Sequence, residues 1–452
     1  MAMLAVLQGW DWQFDGWIMV VGVLCATSTA LLGNFLVLRR MSMLGDAVSH
    51  AVLPGLVAAF LISHSRSSLA MFVGAVIVGV LTAMFTEWIR RFGRVEESAA
   101  MGVVFTSLFA LGLVMIVQAD HVDLDADCVL YGAIDLTPMF TFNIGAYEVP
   151  QAAVVLSVVT LINAAFVLVC YKELKISSFD PSLAHSQGVR PAWMHYALMV
   201  LVAVTTVACF ESVGNILVVA MLVVPPSAAF LLTHRLGLMI VLSVVIGAAG
   251  AILGHVGAFA IPRAFGMPST STAGMMSVAL GGLFVLALLF APQQGLVSRS
   301  IRRFVLSQQI LRDDIVAYLY RAGERHGEAI AKPSDLITEL FSSAVPMSLA
   351  LRRLVRQDCI RDCGQQIELT KQGEKLGKAL VRSHRLWESY LVEQAELDRS
   401  KIHDKAEQWE HFTGQALRDR LVDQTSSTGL DPHGTVIPAE PKSDDDGPPD
   451  AS

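Results

Sequence analysis

The sequence predicts an all-α polytopic membrane domain of about nine transmembrane helices, followed by a mainly α unit with a winged helix and two further long helices. Three observations carry this. Apolar runs of about 20 residues, the length that spans a bilayer, recur through the first 297 of the 452 residues. Charge then changes abruptly: residues 1–297 hold 11 Lys+Arg and 15 Asp+Glu, and the remaining residues hold 22 and 25. Past that point the apolar residues take helical spacing, broken by a short extended stretch around Gly364. The formal net charge of −7 is mild and mixed in sign, so it favours neither nucleic acid nor any other anionic partner.

The runs place spans at 17–38, 43–62, 69–89, 98–118, 150–170, 194–210, 214–232, 236–260 and 271–291. Basic residues follow the odd-numbered spans: Arg39 and Arg40, then Arg90, Arg91 and Arg94, Lys172 and Lys175, Arg235, and Arg299, Arg302 and Arg303. Such ends stay on the cytoplasmic side. The linker after the fourth span has Asp120, Asp123, Asp125, Asp127 and Asp135 with no Lys or Arg, and so faces outward. The expectation is a multi-pass cell (inner) membrane protein with its N-terminus outside and its charged C-terminal unit in the cytoplasm. No Lys or Arg precedes the first run, so it lacks the start of a secretory signal peptide and reads as a retained span. Three of the six cysteines lie in apolar runs, and Cys359 and Cys363 fit none of the common zinc spacings. Packing is the expected role.

Within the second span, Asp46 and His50 stand where a membrane helix should carry no ionisable group. Four residues apart, they share a helix face and can hold one cation between them. Glu211, just before the seventh span, reads as a second buried carboxylate. Between the fifth and sixth spans, 178–191 is short and polar. Asp180 before Pro181 is an N-cap and first-turn pair and Gly188 a stop, so a short helix outside the membrane is expected. No G-x-x-x-x-G-K-[ST] occurs, so ATP chemistry through a P-loop is excluded.

The C-terminal region divides into a winged helix-turn-helix over 298–370, helices over 371–424 and a Pro-, Asp- and Gly-rich tail over 425–452 that composition marks as disordered. Helices are expected at 307–322, 334–341 and 346–357, two strands over Ile360 to Thr370, a long helix from Thr370 to about Glu396 and another from about Ser400 to Phe412. His384 and Glu388 are four apart on the long helix, and His403, Glu407, Glu410 and His411 fall on or near one face of the next. These imidazoles and carboxylates can converge.

GDAVSHAVLPG (45–55), FDPSLAHSQG (179–188), VGNILVVAMLVVPPSAAFLLTHRL (213–236) and FAPQQGLV (290–297) together resemble the membrane permease subunits of manganese, zinc and iron ABC importers. The resemblance implies a permease that pairs with a second permease subunit and receives a divalent cation from an external solute-binding protein. A separate cytoplasmic ATP-binding subunit would drive it. It assigns Asp46 and His50 to the transport path and the segment carrying Phe179, Asp180, Pro181, Ala184 and Gly188 to ATPase coupling. Residues 307–415 are similar to iron-dependent repressors of the diphtheria toxin repressor type. In HDKAEQWEH (403–411), Glu407 stands where iron-type members place Cys and manganese-type members Glu, and Asp314 matches a further manganese-type ligand. Ala317 replaces a second carboxylate of the first helix, which puts full binuclear coordination in question.

Oxygen and imidazole donors suit Mn(II) or Fe(II) better than a softer ion. The expectation is therefore a permease subunit of an ABC importer for a divalent transition metal, Mn2+ first and Zn2+ or Fe2+ next, with no ATPase of its own and no covalent chemistry. The metal serves as substrate and as regulator through the C-terminal domain, and lipid surrounds the spans. DNA is disfavoured as a partner, because Leu349 and Ala350 stand on the recognition helix where polar base contacts belong, although Arg352, Arg353 and Arg356 suit phosphates. The competing class is a membrane-anchored, metal-responsive transcription regulator that binds DNA through its winged helix.

Overall fold

The computed structural model describes residues 10–63, 68–118, 134–144, 147–267, 270–364, 366–395, 397, 399–425 and 429–441. Most of the acidic linker lies outside them. The chain forms two compact units, 1–299 and 300–452, each taken by itself.

In the first unit the described residues hold nine helical spans long and apolar enough to cross a membrane. In order they are α1 (Trp12–Leu38), the pair α2 (Leu44–Ala51) and α3 (Leu53–Ser63), α4 (Ser68–Gly93), α5 (Glu97–Gln118), α6 (Gln151–Val169), α9 (Pro191–Val213), α10 (Asn215–Leu232), α11 (Leu236–Ala264) and α12 (Thr272–Phe290). Outside the spans, β1 (Thr141–Ile144) and β2 (Tyr147–Pro150) pair antiparallel, and α7 (Tyr171–Phe179) and α8 (Pro181–Ser186) precede α9. α1 is apolar on all sides and is packed by α6, α9, α10 and α11. Close approach depends on small residues, as usual where lipid removes any hydrophobic force between helices. A Cβ on Gly33 would lie 2.1 Å from the Leu222 carbonyl oxygen, and one on Gly254 would lie 2.2 Å from Met276 Cα. Buried amides tie the helices: Asn34 donates to Ser243 Oγ at 2.7 Å and Asn163 to Thr205 Oγ1 at 2.8 Å.

α2 and α3 run on through Val52, whose dihedrals stay helical (φ −66°, ψ −28°), and form one span, Leu44–Ser63. Pro54 within it has no N–H to give the carbonyl four residues back, that of His50.

The second unit begins within α13 (Leu296–His326), a single helix of 31 residues. The boundary expected at 298 lies within this helix, two residues before the division between the two units. β3 (Ile330–Ala331), α14 (Pro333–Glu339), α15 (Ala344–Arg356), β4 (Ile360–Asp362) and β5 (Ile367–Leu369) complete the winged helix, with sheet order β3-β5-β4. Its core is Leu311, Ile315 and Leu319 of α13 against Leu336, Met347, Leu354, Ile360 and Ile367. β3 is too short to leave a sequence signal. α16 (Lys371–Glu393) starts where expected, with Thr370 Oγ1 accepting from Gly373 N. α17 (Arg399–Glu410) and α18 (Gln415–Gln424) follow.

The expected disordered tail is corrected over 429–441. Leu430 and Val436 form a β-bridge, and Ile437 is buried against Leu386 and Leu421. Glu440 pairs with Arg382 and Arg418, whose charges would otherwise be buried alone. Composition missed these ties because, apart from the bridge, each joins a tail residue to a helix distant in sequence.

Candidate functional site

His50 Nε2 lies 3.4 Å from Asp46 Oδ1, and the two side chains are 36% and 41% exposed in the single chain. The imidazole packs beside Phe105 and Phe109 of α5. Two other His–carboxylate pairs occur in the apolar helices, and the sequence reading missed both. His255 Nε2 is 3.0 Å from Asp15 Oδ1, tying α11 to α1, and His195 Nε2 is 3.2 Å from Glu87 Oε2, tying α9 to α4. Those pairs are more buried, with no side chain above 14% exposed, although Glu87 and His195 line a cavity with Arg39, Arg90 and Ser177. The two buried pairs each join two helices, whereas Asp46 and His50 sit on one. Glu211 is exposed, not buried as expected, and lines a small cavity with Gln151 and Thr137.

The segment after α7 folds as its caps dictate. Asp180 Oδ1 accepts from the backbone N–H groups of Ser182 and Leu183, Pro181 opens α8, and Gly188 takes φ +79°. Ala184 anchors the helix inward while Phe179 and Leu183 stay exposed. The segment is wired to the end of the first span: Arg39 donates to Ser178 Oγ at 3.1 Å and Ser177 Oγ at 2.9 Å, and lies 3.5 Å from His195 Nδ1.

In the second unit α13, α16 and α17 bring two groups of metal-type donors together. In the first, His384 Nε2 is 3.1 Å from Glu388 Oε1 and 3.0 Å from His403 Nδ1, and His403 Nδ1 is 3.0 Å from the same carboxylate oxygen. The second comprises Asp314, Glu410 and His411, and within each group the ligand atoms lie within 4.8 Å of one another. His411 Nε2 is 3.4 Å from Asp314 Oδ1. Its buried Nδ1 makes no hydrogen bond, the Asp313 carboxylate being 3.5 Å away in poor alignment. An unsatisfied buried imidazole nitrogen among carboxylates, and two imidazole nitrogens 3.0 Å apart in the other group, both fit a divalent cation. The donors are oxygen and nitrogen only. Glu407 is exposed and joins neither group, though its charge acts on Asp314 across a cavity they both line.

The electrostatics agree. Burial, aided by the charges of Glu410, Glu407 and Asp313 and opposed by His411, raises the Asp314 carboxyl to about 6. Burial works against the Glu388 carboxylate, but hydrogen bonds from His384 and His403 prevail and hold it at about 2. Burial likewise disfavours charge on His384 and His411, yet Glu388 and Glu410 on the first, and Asp313, Asp314 and Glu410 on the second, raise both above the ordinary histidine value.

Sequence reasoning missed Asp313 and His433. His433 Nε2 lies 3.8 Å from Glu388 Oε1, carried there by a turn in which Asp431 Oδ1 accepts from the backbone of His433 and Thr435. The Asp-Pro-His-Gly run was the available signal. On α15 Leu349 is exposed as expected, whereas Ala350 is buried in the core and is no groove contact.

Residues 12–291 match the ABC 3 transport family, and residues 370–439 match the iron dependent repressor, metal binding and dimerisation domain. The manganese transport system membrane protein MntD of Bacillus subtilis (strain 168) is 41% identical over 299 residues, 66% of this chain and 99% of that protein. The zinc transport system membrane protein TroD of Treponema pallidum (strain Nichols) is 36% identical over 366 residues, 80% of this chain and 97% of that protein. Among solved structures, PsaBC from Streptococcus pneumoniae in complex with Fab aligns with TM-score 0.51 and 28% identity, over 64% of this chain and 96% of that chain.

Proposed function

The chain belongs to the ABC 3 transport family, and from that premise we propose that it carries Mn2+, with Zn2+ or Fe2+ as alternatives, past Asp46 and His50, under the control of its own C-terminal metal groups. It is a permease subunit of a divalent-metal importer with a fused repressor-type metal-sensing domain. The observation that supports the path is a contrast among the His–carboxylate pairs of the described apolar helices: the side chains of Asp46 and His50 are 41% and 36% exposed, whereas those of the other two pairs are 14% exposed or less. Pro54 leaves the His50 carbonyl without its usual i+4 donor. A second permease subunit, identical or related, would cover that open side, and an external solute-binding protein would deliver the ion. A cytoplasmic ATP-binding subunit would dock on Phe179 to Gly188. The test is radioactive manganese uptake in cells carrying Asp46→Ala or His50→Ala. A loss of tenfold or more is expected, in line with removal of a ligand-shell group; unchanged uptake removes the assignment.

Metal on the C-terminal groups biases transport only by binding one conformation of the assembly more tightly. The expected sense is feedback inhibition. Deleting residues 300–452 leaves uptake intact and abolishes its sensitivity to internal metal, and lost uptake in a correctly inserted protein contradicts this. A DNA-reading role is disfavoured by the exposed apolar side chains of Phe341, Val345 and Leu349 at and before the recognition helix. Gel shifts with and without Mn2+ separate the two.

A further inference from the structure

In the first unit a cavity of about 450 Å3 is walled by the end of α1, the last turns of α4, the end of α7 and the first turn of α9. Its lining is basic: Arg39, Arg40, Arg90 and Arg91 share it with one carboxylate, that of Glu87. That carboxylate is already matched, since Arg90 Nε and Nη2 donate to its two oxygens at 2.8 Å and His195 Nε2 lies 3.2 Å away. The half-buried Arg39 guanidinium has two serine hydroxyls and an imidazole for partners, and no carboxylate within 4 Å among the described residues. Neither Arg40 nor Arg91 makes an ion pair among them. Three positive charges without a counter-charge thus share one cavity, and withdrawing such a charge from water is costly unless an anion joins it. Arg40 carries a further cost. Met41 N donates to Leu36 O and Arg40 N to Val37 O, the helix ending that usually closes on glycine, yet Arg40 stands there at φ +61°. An arginine occupies, at the expense of backbone strain, the place where glycine fits best.

The surroundings identify the anion. Trp88 and Phe92 on the last turns of α4 and Trp193 on the first turn of α9 are 59%, 75% and 67% exposed. Exposed aromatic rings at the ends of spans mark the depth at which hydrocarbon meets water. A basic pocket between spans at that depth suits a lipid headgroup, and guanidinium forks match phosphate oxygens in pairs. A soluble phosphate offers the same oxygens but lacks the acyl chains that hold a headgroup at this level. We propose that the cavity binds the headgroup phosphate of an anionic phospholipid through Arg39, Arg40 and Arg91, while Arg90 stays on Glu87. Because Arg39 also holds Ser177 and Ser178, the lipid sits against the end of α7 and steadies it. The inference rests on α1, α4 and α9 being spans and is independent of which metal is carried.

Native mass spectrometry of the full-length protein, released from nanodiscs of equimolar phosphatidylglycerol and phosphatidylcholine, provides the test. Phosphatidylglycerol should be the lipid retained. Arg40→Gln with Arg91→Gln, both at exposed positions, should weaken its retention about 25-fold, at about fivefold for each basic contact. Arg40→Lys with Arg91→Lys should keep most of it. Arg263→Gln, in the last turn of α11 and outside the cavity, should change nothing. Equal retention of the two lipids, an undiminished phosphatidylglycerol signal in the double glutamine variant, or an equal loss in Arg263→Gln would each overturn the proposal. So would displacement of the lipid by excess inorganic phosphate, which marks a soluble anion as the occupant, or by the ATP-binding subunit, which marks an acidic protein side chain.

Discussion

His384 Nδ1 lies 2.6 Å from Glu410 Oε2, and this one contact joins the two metal-type groups of the C-terminal unit. Glu410 is a ligand candidate in the second group while orienting an imidazole of the first. Groups that orient ligands are typically worth tenfold to a hundredfold in metal affinity. Glu410→Gln should therefore weaken Mn2+ binding at both groups, whereas His403→Ala should weaken the first alone. Calorimetric titration of the full-length protein distinguishes these; a Glu410→Gln variant with one site untouched breaks the link.

Metal binding by this unit should strengthen as pH rises. His384 and His411 titrate above the ordinary histidine value and Asp314 at about 6. Below those values each holds a proton that an incoming cation must displace. Glu388, held at about 2, releases none between pH 5.5 and 8.5. Affinity should fall by up to about tenfold per pH unit for each proton displaced on going below pH 6.5, and level off above the raised histidine values. Proton release measured in buffers of different ionisation heat checks the count, and affinity independent of pH refutes it.

Arg39 links the α7 segment to the chain just before Asp46. Arg39→Gln removes charge-assisted hydrogen bonds to Ser177 and Ser178, interactions of about 1.5–3 kcal/mol. The expected outcome is reduced manganese transport per ATP hydrolysed in proteoliposomes with the ATP-binding subunit still associated. Transport and hydrolysis falling together would instead mark simple misfolding or lost association.

Truncation after Thr425 should destabilise the C-terminal unit. It strips Glu440 from Arg382 and Arg418, and removes the Val436 carbonyl and Asp431 from Arg385. Breaking one buried ion pair costs about 3–5 kcal/mol. A clearly lower unfolding temperature for this unit in calorimetry of the full-length protein is expected, and an unchanged one would show the 429–441 segment to be dispensable.

The nine spans were legible because a long apolar run has few structural outcomes, and the α8 cap because Asp180-Pro181 acts within three residues. The exposure of the Asp46–His50 pair was not, since it depends on which neighbours pack around α2. Nor were the pairs His255–Asp15 and His195–Glu87, which join residues far apart in sequence and depend on how whole helices pack. In the C-terminal unit the periodicity placed His384 with Glu388 and His403 near His411. It could not sort them into two groups, because that depends on the crossing of α16 and α17. His433 was lost to a compositional reading that weighs residues without regard to turns.

α13 is a single rod without a break from Leu296 to His326, so its length acts as an angular setting. Adding or removing one residue near Ser307 would turn the core residues Leu311, Ile315 and Leu319 by about 100° relative to Ile301, Phe304 and Val305 of the same unit, while seven residues would return them to within about 20°. Insertions and deletions here are thus counted in pairs of turns, and one amino acid too many would be more disruptive than seven.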